Sequence, residues 1–145
     1  MSDVADRFTI VEEFVAEGDA ERHHHLVDYE TQKFMTNLWS AYLVKVRANL
    51  EESPVHPAMR RVSYSLDGEA FPGDTLLRGI RMASRSRRSC TFEIALWHPD
   101  GRMVHSTEMV TVFVDPRIPA AVEIPEDFWA SVEALEGRTI AAPAS

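Results

Sequence analysis

The chain has 145 residues, of which 45% are hydrophobic and 26% are charged, and its formal net charge is −8. A chain of this length buries about 70% of the surface that it exposes when unfolded, which is enough for one self-sufficient core. The composition excludes intrinsically disordered, collagen-like and disulfide-scaffold proteins. The acidic balance argues against partners such as nucleic acids and anionic membranes, because both require a cationic surface.

The N-terminal residues 1–7 include acidic side chains where a signal peptide has a basic start and an apolar stretch. No apolar run approaches the roughly 18 residues that cross a membrane. Cys90 is the only cysteine, so an internal disulfide and a cysteine-based zinc site within one chain are both excluded. We therefore expect a cytoplasmic protein in a reducing compartment.

The first predicted element is a strand within residues 7–16. There Phe8, Ile10 and Phe14 fall on one side at a period of two. A polar, turn-like stretch over residues 17–25 follows.

The period then changes over residues 29–50, where apolar residues recur at spacings of three and four. This pattern predicts one long helix that is apolar over more than half of its circumference. Asp28 stands where a helix N-cap or first-turn acid is stabilised. Pro54 and Pro57 end the helical segment, because the residue before a proline disfavours helical geometry.

The rest of the chain is predicted to be mostly extended. Alternating apolar residues and turn sequences predict four strands, at residues 59–66, 75–84, 89–97 and 103–114. A short helix is predicted over residues 125–135, with Pro125 in its first turn and Gly137 just past its end.

A long apolar helix cannot remain exposed, and the only large apolar surface available to cover it is one face of the sheet. The sequence therefore predicts an α+β fold in which a five-stranded antiparallel sheet wraps around one long central helix. Residues 1–137 are expected to form this single domain, and residues 138–145 a flexible C-terminal tail.

This order of elements resembles the hot-dog fold, and several motifs resemble its 4-hydroxybenzoyl-CoA thioesterase-like acyl-CoA thioesterases. The resemblance covers residues 8–137. The family's loop before the helix carries Asp-x-Asp-x-x-Gly-His, with an Asn three residues later. Here the same spacing is filled by Asp19-Ala20-Glu21-Arg22-His23-His24-His25, followed by Asp28. Further matches are Gly73-Asp74-Thr75-Leu76, Arg88-Ser89, Val112-Phe113-Val114-Asp115 and Ile124-Pro125.

The chain departs from the family motif at three positions. Glu21 replaces the second Asp, His24 replaces the Gly, and Asp28 replaces the Asn. Glu21 keeps a carboxylate but extends it by one methylene. Two alternatives therefore stay open: a non-catalytic hot-dog module that binds an acyl or aromatic ligand, and a hydratase or dehydratase that acts on acyl thioesters.

The resemblance implies an acyl-CoA thioesterase. Thioester hydrolysis requires a carboxylate that attacks the carbonyl or deprotonates a water, and a donor that stabilises the oxyanion. Glu21 is predicted to be this nucleophile or general base, and the backbone amides of Asp28 and Tyr29 are the predicted oxyanion donors. Asp19, His25 and Asp28 complete the predicted catalytic set. The same loop residues are also typical of an ordinary solvated loop.

Two further polar groups are weaker candidates. The helix dipole already explains an acid such as Glu30 in a first turn. His105 is interpreted as a packed or surface residue of a strand. Three consecutive histidines rarely point at one centre, so His23-His24-His25 predicts no metal site.

The middle third of the chain is its only net-positive part. Arg85, Arg87 and Arg88 lie between two predicted strands, and arginine forks suit the phosphate oxygens of coenzyme A (CoA). They are predicted to bind CoA, although a solvated turn fits the same pattern. Arg60 and Arg61 are expected on opposite faces of a strand, so at most one of them shares this role.

The helix also suggests where the acyl group lies. Phe34, Leu38 and Trp39 are core residues first, and the resemblance implies that they line an acyl pocket at a subunit interface. The wide apolar stripe predicts a homodimer or homotetramer. The expected substrate is an acyl-CoA or acyl-carrier-protein thioester, with no cofactor beyond the CoA of the substrate. Aromatic, short-chain and polyketide-derived acyl groups all fit the sequence.

Overall fold

The computed structural model describes residues 4–18, 26, 28–46 and 54–141, and for Asp28 and Tyr29 it describes the backbone. A short 3-10 helix at Ala5–Arg7 comes first. The described residues then form β1 (Ile10–Val15), α1 (Asp28–Lys45), β2 (His56–Leu66), β3 (Thr75–Arg85), β4 (Ser89–Trp97), β5 (Met103–Asp115), β6 (Ala120–Val122) and α2 (Glu126–Glu136).

The strands form one antiparallel sheet in the order β1-β3-β4-β5-β2, and β6 pairs with the end of β5. Helix α1 packs on one face of this sheet, against β3 and β4. The predicted hot-dog arrangement is therefore confirmed. The short β6 is an addition, because three residues are too few to show a periodicity. None of the described helices is long and apolar enough to cross a membrane.

The core lies between α1 and the sheet. Met35, Leu38 and Tyr42 recur at helical spacing and are each no more than 1% exposed. The Tyr42 ring meets Phe92 of β4 edge to face, with 5.0 Å between the ring centroids. Each such side chain contributes roughly 1.5–3 kcal/mol by leaving water, so this stripe fixes α1 on the sheet.

The sheet edge at β2 is less covered than its centre. Leu66 pairs directly with His105 of β5, and the Tyr64 ring lies 5.0 Å from the His105 ring, measured between centroids. Residues directly opposite in a sheet share a face, so Tyr64 and Leu66 lie on the same face as His105. They remain 46% and 59% exposed. We call this strip of Tyr64 and Leu66 the open strip.

The C-terminal segment packs against the body of the domain. Helix α2 ends at Gly137, whose φ of 72° is the left-handed geometry that favours glycine, as predicted for this position. Ile140 is 2% exposed, and its backbone N–H donates to the Glu133 carboxylate. The carbonyl of Ala141 accepts a hydrogen bond from the Arg85 backbone. The packed part of the chain thus continues to Ala141, beyond the boundary at residue 137 expected from the sequence.

The side chain of Glu136 connects α2 to α1, to β3 and to the residue just before β1. Its carboxylate is fully buried and accepts hydrogen bonds from the hydroxyls of Tyr42 and Thr9, at 2.8 and 2.7 Å. It also accepts from the backbone N–H of Met82 and from the guanidinium of Arg138. Burial, followed by the charge of Glu136, raises the pKa of Tyr42 above its usual value.

Candidate active site

Gly18 and Leu26, which flank residues 19–25 in the sequence, both lie beside the first turn of α1. Gly18 lies so close to the Glu30 carboxylate that a Cβ on Gly18 would collide with it. The same Cβ would be 2.7 Å from the side chain of Leu26. Leu26 is held in turn by a 2.7 Å hydrogen bond from its N–H to the carbonyl of Ala70. The two residues that flank this segment are therefore packed beside the helix start.

The predicted catalytic residues divide into two groups. Asp19, Glu21 and His25 lie outside the described residues, as does the side chain of Asp28. The backbones of Asp28 and Tyr29 are the first two residues of α1. The first four N–H groups of a helix have no acceptor within it, and they carry the positive end of the helix dipole. The amides of the two predicted oxyanion donors thus have no acceptor within α1.

A buried polar contact joins the first turn of α1 to β5. The Thr31 hydroxyl lies 2.7 Å from Nδ1 of His105, and these residues are 3% and 0% exposed. His105 is therefore packed rather than a surface residue, and Tyr64 of the open strip covers it. Its contact with the helix start is absent from the sequence prediction, because alternation along a strand does not reveal which helical residue faces it.

The three predicted acyl-pocket residues do not lie together. Leu38 is 1% exposed within the core. The Phe34 ring meets Phe14 of β1, with 5.0 Å between centroids. Trp39 faces the other side of α1, where its indole N–H donates to the Thr111 hydroxyl of β5 over 2.9 Å. Since β5 lies next to β2, Trp39 is the one of the three on the side of the open strip.

The structure also separates the three arginines predicted to bind CoA. Arg85 lies 3.6 Å from a Glu126 oxygen and 3.8 Å from a Glu133 oxygen, both on α2. Arg87 lies 3.5 Å from Glu123. Two of the three guanidinium groups are thus already near carboxylates of this chain.

Arg88 instead lines a cavity of about 380 Å³ together with Arg60 and Arg61. The expectation that Arg60 and Arg61 face opposite sides of a strand is wrong. The pairing of β2 with β5 shifts between Met59 and Arg61, which is a β-bulge. At the bulge, two residues of β2 oppose one residue of β5. Neighbouring side chains of β2 therefore no longer alternate between the two faces of the sheet there.

Cysteine and metal-binding side chains offer no alternative site in the described part of the chain. Cys90 is 1% exposed, and burial raises the pKa of its thiol, so it stays protonated at neutral pH and is no nucleophile. Among the same residues, no three His, Cys, Asp or Glu side chains lie close enough to hold a metal. The run His23-His24-His25 lies outside the described residues.

No protein-family model and no curated protein matches this sequence. Solved structures do match its fold. A thioesterase from Thermus thermophilus, complexed with coenzyme A and Zn, has a TM-score of 0.77 and 19% identity, over 92% of this chain and 98% of that one. The hypothetical protein SAV2348 from Staphylococcus aureus, in complex with CoA, has a TM-score of 0.79 and 10% identity, over 93% and 88%.

A third structure, the 1,4-dihydroxy-2-naphthoyl-CoA thioesterase Slr0204 from Synechocystis, has a TM-score of 0.70 and 11% identity. The alignment covers 84% of this chain and 93% of that one. These likenesses show that the chain shares the fold of these structures.

Proposed function

We propose that the protein is an acyl-CoA thioesterase, which hydrolyses an acyl-CoA or acyl-carrier thioester to a free acid and a thiol. The observation that carries this proposal is that both residues flanking segment 19–25 lie at the helix start. Gly18 and Leu26 meet there beside Glu30. In this proposal the Glu21 carboxylate, which stands between these two residues in the sequence, reaches the helix amides. The fold, shared with structures named as thioesterases, supports the same reaction.

In the proposed reaction, Glu21 acts in one of two ways. As a general base it takes a proton from water, and the hydroxide adds to the thioester carbonyl carbon. As a nucleophile it adds to that carbon itself, and water then hydrolyses the resulting anhydride. In both routes the C–S bond breaks, the thiolate leaves and takes up a proton, and the acid is released.

The start of α1 stabilises the charge that develops on the carbonyl oxygen. The amides of Asp28 and Tyr29 donate to this oxyanion, and one such donor typically contributes about 2.7–4 kcal/mol. Asp19 and His25 orient the water or Glu21 in this proposal. Thr31 and His105 act as positioning residues, because their contact holds the helix start against β5.

The acyl group lies along the open strip in this proposal. Tyr64 and Leu66 supply its exposed apolar surface on β2, and Trp39 lies on the same side of α1, where it binds Thr111 of β5. Of the other predicted acyl-pocket residues, Leu38 is buried in the core and Phe34 packs against Phe14 of β1. Aromatic and branched apolar walls of this kind suit an apolar acyl group.

We also propose that two chains form a homodimer through the edge of the sheet. Strand β2 is an edge strand, and the exposed Tyr64 and Leu66 lie on it. An edge strand with exposed apolar residues favours pairing with another chain. A homotetramer would pair two such dimers. A sole cysteine that is buried and unpaired fits the reducing cytoplasm.

One observation favours a second candidate function, the hydration of an enoyl thioester. That reaction uses a His with a carboxylate, and His105 lies at the start of α1 beside Thr31. The experiment is a panel of short-chain, long-chain, aromatic and enoyl-CoA thioesters, with thiol release and loss of the enoyl absorbance followed separately. Thiol release that outpaces enoyl loss supports the thioesterase. Faster hydration supports the second candidate, and binding without turnover supports a ligand-binding module.

A further inference from the structure

The guanidinium group of Arg78 joins β3 to β1 and to α1. Its Nε and one terminal nitrogen lie 2.9 and 2.8 Å from a carboxylate oxygen of Glu12 in β1. Its other terminal nitrogen donates to the backbone carbonyl of Phe34 in α1 over 3.1 Å. The central carbon of the group lies over the Phe14 ring of β1, 4.7 Å from the ring centroid. Because the Arg78 side chain is only 19% exposed, these contacts lie mostly out of water.

The contact with Phe34 reaches the helix backbone itself. A carbonyl in the interior of an α-helix already accepts a hydrogen bond from the N–H four residues later, here that of Leu38. The carbonyl oxygen has a second lone pair, so it can also accept from a side chain. A charged donor such as a guanidinium forms a stronger hydrogen bond than a neutral one. Arg78 therefore ties the backbone of α1 directly to the sheet.

Two polar contacts hold the first turns of α1, one on each flank of the helix. Thr31 meets His105 of β5, and Phe34 meets Arg78 of β3. The sheet order β1-β3-β4-β5-β2 places β4 between these two strands. Phe34 is about 9 Å along the helix axis from Asp28, so both contacts lie near the helix start. A helix held on one flank can still swing on the other, whereas contacts on both flanks leave its start in one position.

We propose that Arg78 is a positioning residue, which acts through the Phe34 carbonyl to set where α1 starts. The inference rests on the proposed function, in which the amides of Asp28 and Tyr29 bind the oxyanion. Glu12 lies directly opposite Arg78 in the sheet and balances its charge, so the role of Arg78 is geometric. The planar guanidinium fork fixes the direction of several hydrogen bonds at once, which the single ammonium of a lysine does not.

The kinetic test compares Arg78→Lys with Arg81→Lys on an acyl-CoA. Arg81 is a matched control, because it lies on the same strand, faces the other side of the sheet and is 2.7 Å from Glu93 of β4. We expect Arg78→Lys to lower kcat about tenfold and to change KM less than about twofold, since oxyanion donors act on the transition state. Arg81→Lys should change both constants less than about twofold.

Amide hydrogen exchange tests the hold on the helix without any substrate. In Arg78→Lys, the amides of residues 32–38 should exchange about tenfold faster than in the wild type, and those of β4 at the same rate. Arg81→Lys should leave both sets unchanged. If circular dichroism shows that Arg78→Lys does not fold, Glu12→Gln replaces it, because it removes the charged partner of Arg78 and keeps Arg78 itself. A change of about threefold or more in kcat and in exchange is then expected.

The two measurements separate this inference from the proposed function. If the wild type hydrolyses acyl-CoA and a folded Arg78→Lys keeps its kcat, or loses no more than Arg81→Lys, the inference fails and the function stands. A raised KM with unchanged kcat also overturns the positioning role, because it indicates a contact with the substrate. If the wild type hydrolyses no thioester but exchange in α1 depends on Arg78, the function fails and the hold of Arg78 on the helix stands. Unchanged exchange in α1 overturns that hold.

Discussion

The hydroxyl of Thr31 in α1 lies 2.7 Å from Nδ1 of His105 in β5, and neither residue is more than 3% exposed. This contact joins the helix start to the strand beside the open strip. The position of the two amides proposed to bind the oxyanion, those of Asp28 and Tyr29, depends on where the helix starts. A side-chain contact that acts only on this turn should therefore affect turnover more than substrate binding.

The first prediction concerns this contact. Thr31→Val keeps the shape of the side chain but leaves the buried His105 nitrogen without this partner, which costs about 1–3 kcal/mol. We expect the free energy of unfolding in urea to fall by that amount, and kcat to fall with little change in KM. The matched control is Thr36→Val, whose hydroxyl bonds to the Gln32 carbonyl within the helix. Equal effects of the two substitutions would contradict the positioning role.

The second prediction concerns the buried carboxylate of Glu136. Glu136→Gln removes the charge that Tyr42, Thr9 and Arg138 donate to, so we expect a loss of about 1.5–3 kcal/mol in the free energy of unfolding. Glu126→Gln is the control, because the Glu126 side chain is 86% exposed beside Arg85. Exposed ion pairs contribute at most about 1 kcal/mol to the free energy of unfolding. A larger loss for Glu126→Gln than for Glu136→Gln would refute this account.

The third prediction is a dependence of stability on alkaline pH. The pKa of Tyr42 is raised in the folded state, first by burial and then by Glu136. An unfolded tyrosine ionises near pH 10, so above about pH 10 the unfolded state loses a proton that the folded state keeps. Stability from this group is present below that pH and is lost as pH rises. Unfolding free energies measured at several alkaline pH values should fall less steeply in Tyr42→Phe than in Tyr64→Phe, whose Tyr64 is half exposed.

The fold was largely predictable from the sequence, and particular residues show why. Alternation and helical spacing are local properties, so the strand of Ser89–Trp97 and the start of α1 near Asp28 follow from neighbouring residues. The left-handed Gly137 follows from the chemistry of helix ends. These signals need no knowledge of distant contacts.

The candidate site was only partly predictable. The contact of Thr31 with His105 joins residues 74 positions apart, and no periodicity encodes it. The bulge that turns the side chains of Arg60 and Arg61 towards one cavity depends on how β2 pairs with β5. Arg85 and Arg87 carry the right charge for CoA, but only the packing of α2 and Glu123 reveals their carboxylate neighbours.

The fourth prediction concerns the anchor of the loop. In Gly18→Ala, the added Cβ displaces the Glu30 carboxylate or the Leu26 side chain. Because a misplacement of about 1 Å can reduce turnover by roughly a hundredfold, we expect kcat to fall about tenfold or more. Thermal unfolding should show that the variant remains folded. Unchanged kcat in a folded variant would mean that the loop anchor does not position the reacting groups.

The fifth prediction concerns the edge of the sheet. Leu66→Asp places a charge in the proposed dimer interface, so analytical ultracentrifugation should show a monomer. Val15→Asp is the matched control, because Val15 is 61% exposed on the opposite edge strand, β1. A dimer that survives Leu66→Asp, or one that only Val15→Asp disrupts, would place the interface elsewhere.

The most direct test of the proposed function is thiol release from acyl-CoAs by the wild type, Glu21→Gln and Glu17→Gln, followed with a thiol-reactive dye. The buried thiol of Cys90 should add little background. Glu17 is an exposed acid four positions before Glu21 and serves as the control. We expect kcat to fall at least about a hundredfold in Glu21→Gln and to be unchanged in Glu17→Gln, with both variants folded by circular dichroism. Full turnover by Glu21→Gln would contradict the central claim that the loop carboxylate drives hydrolysis.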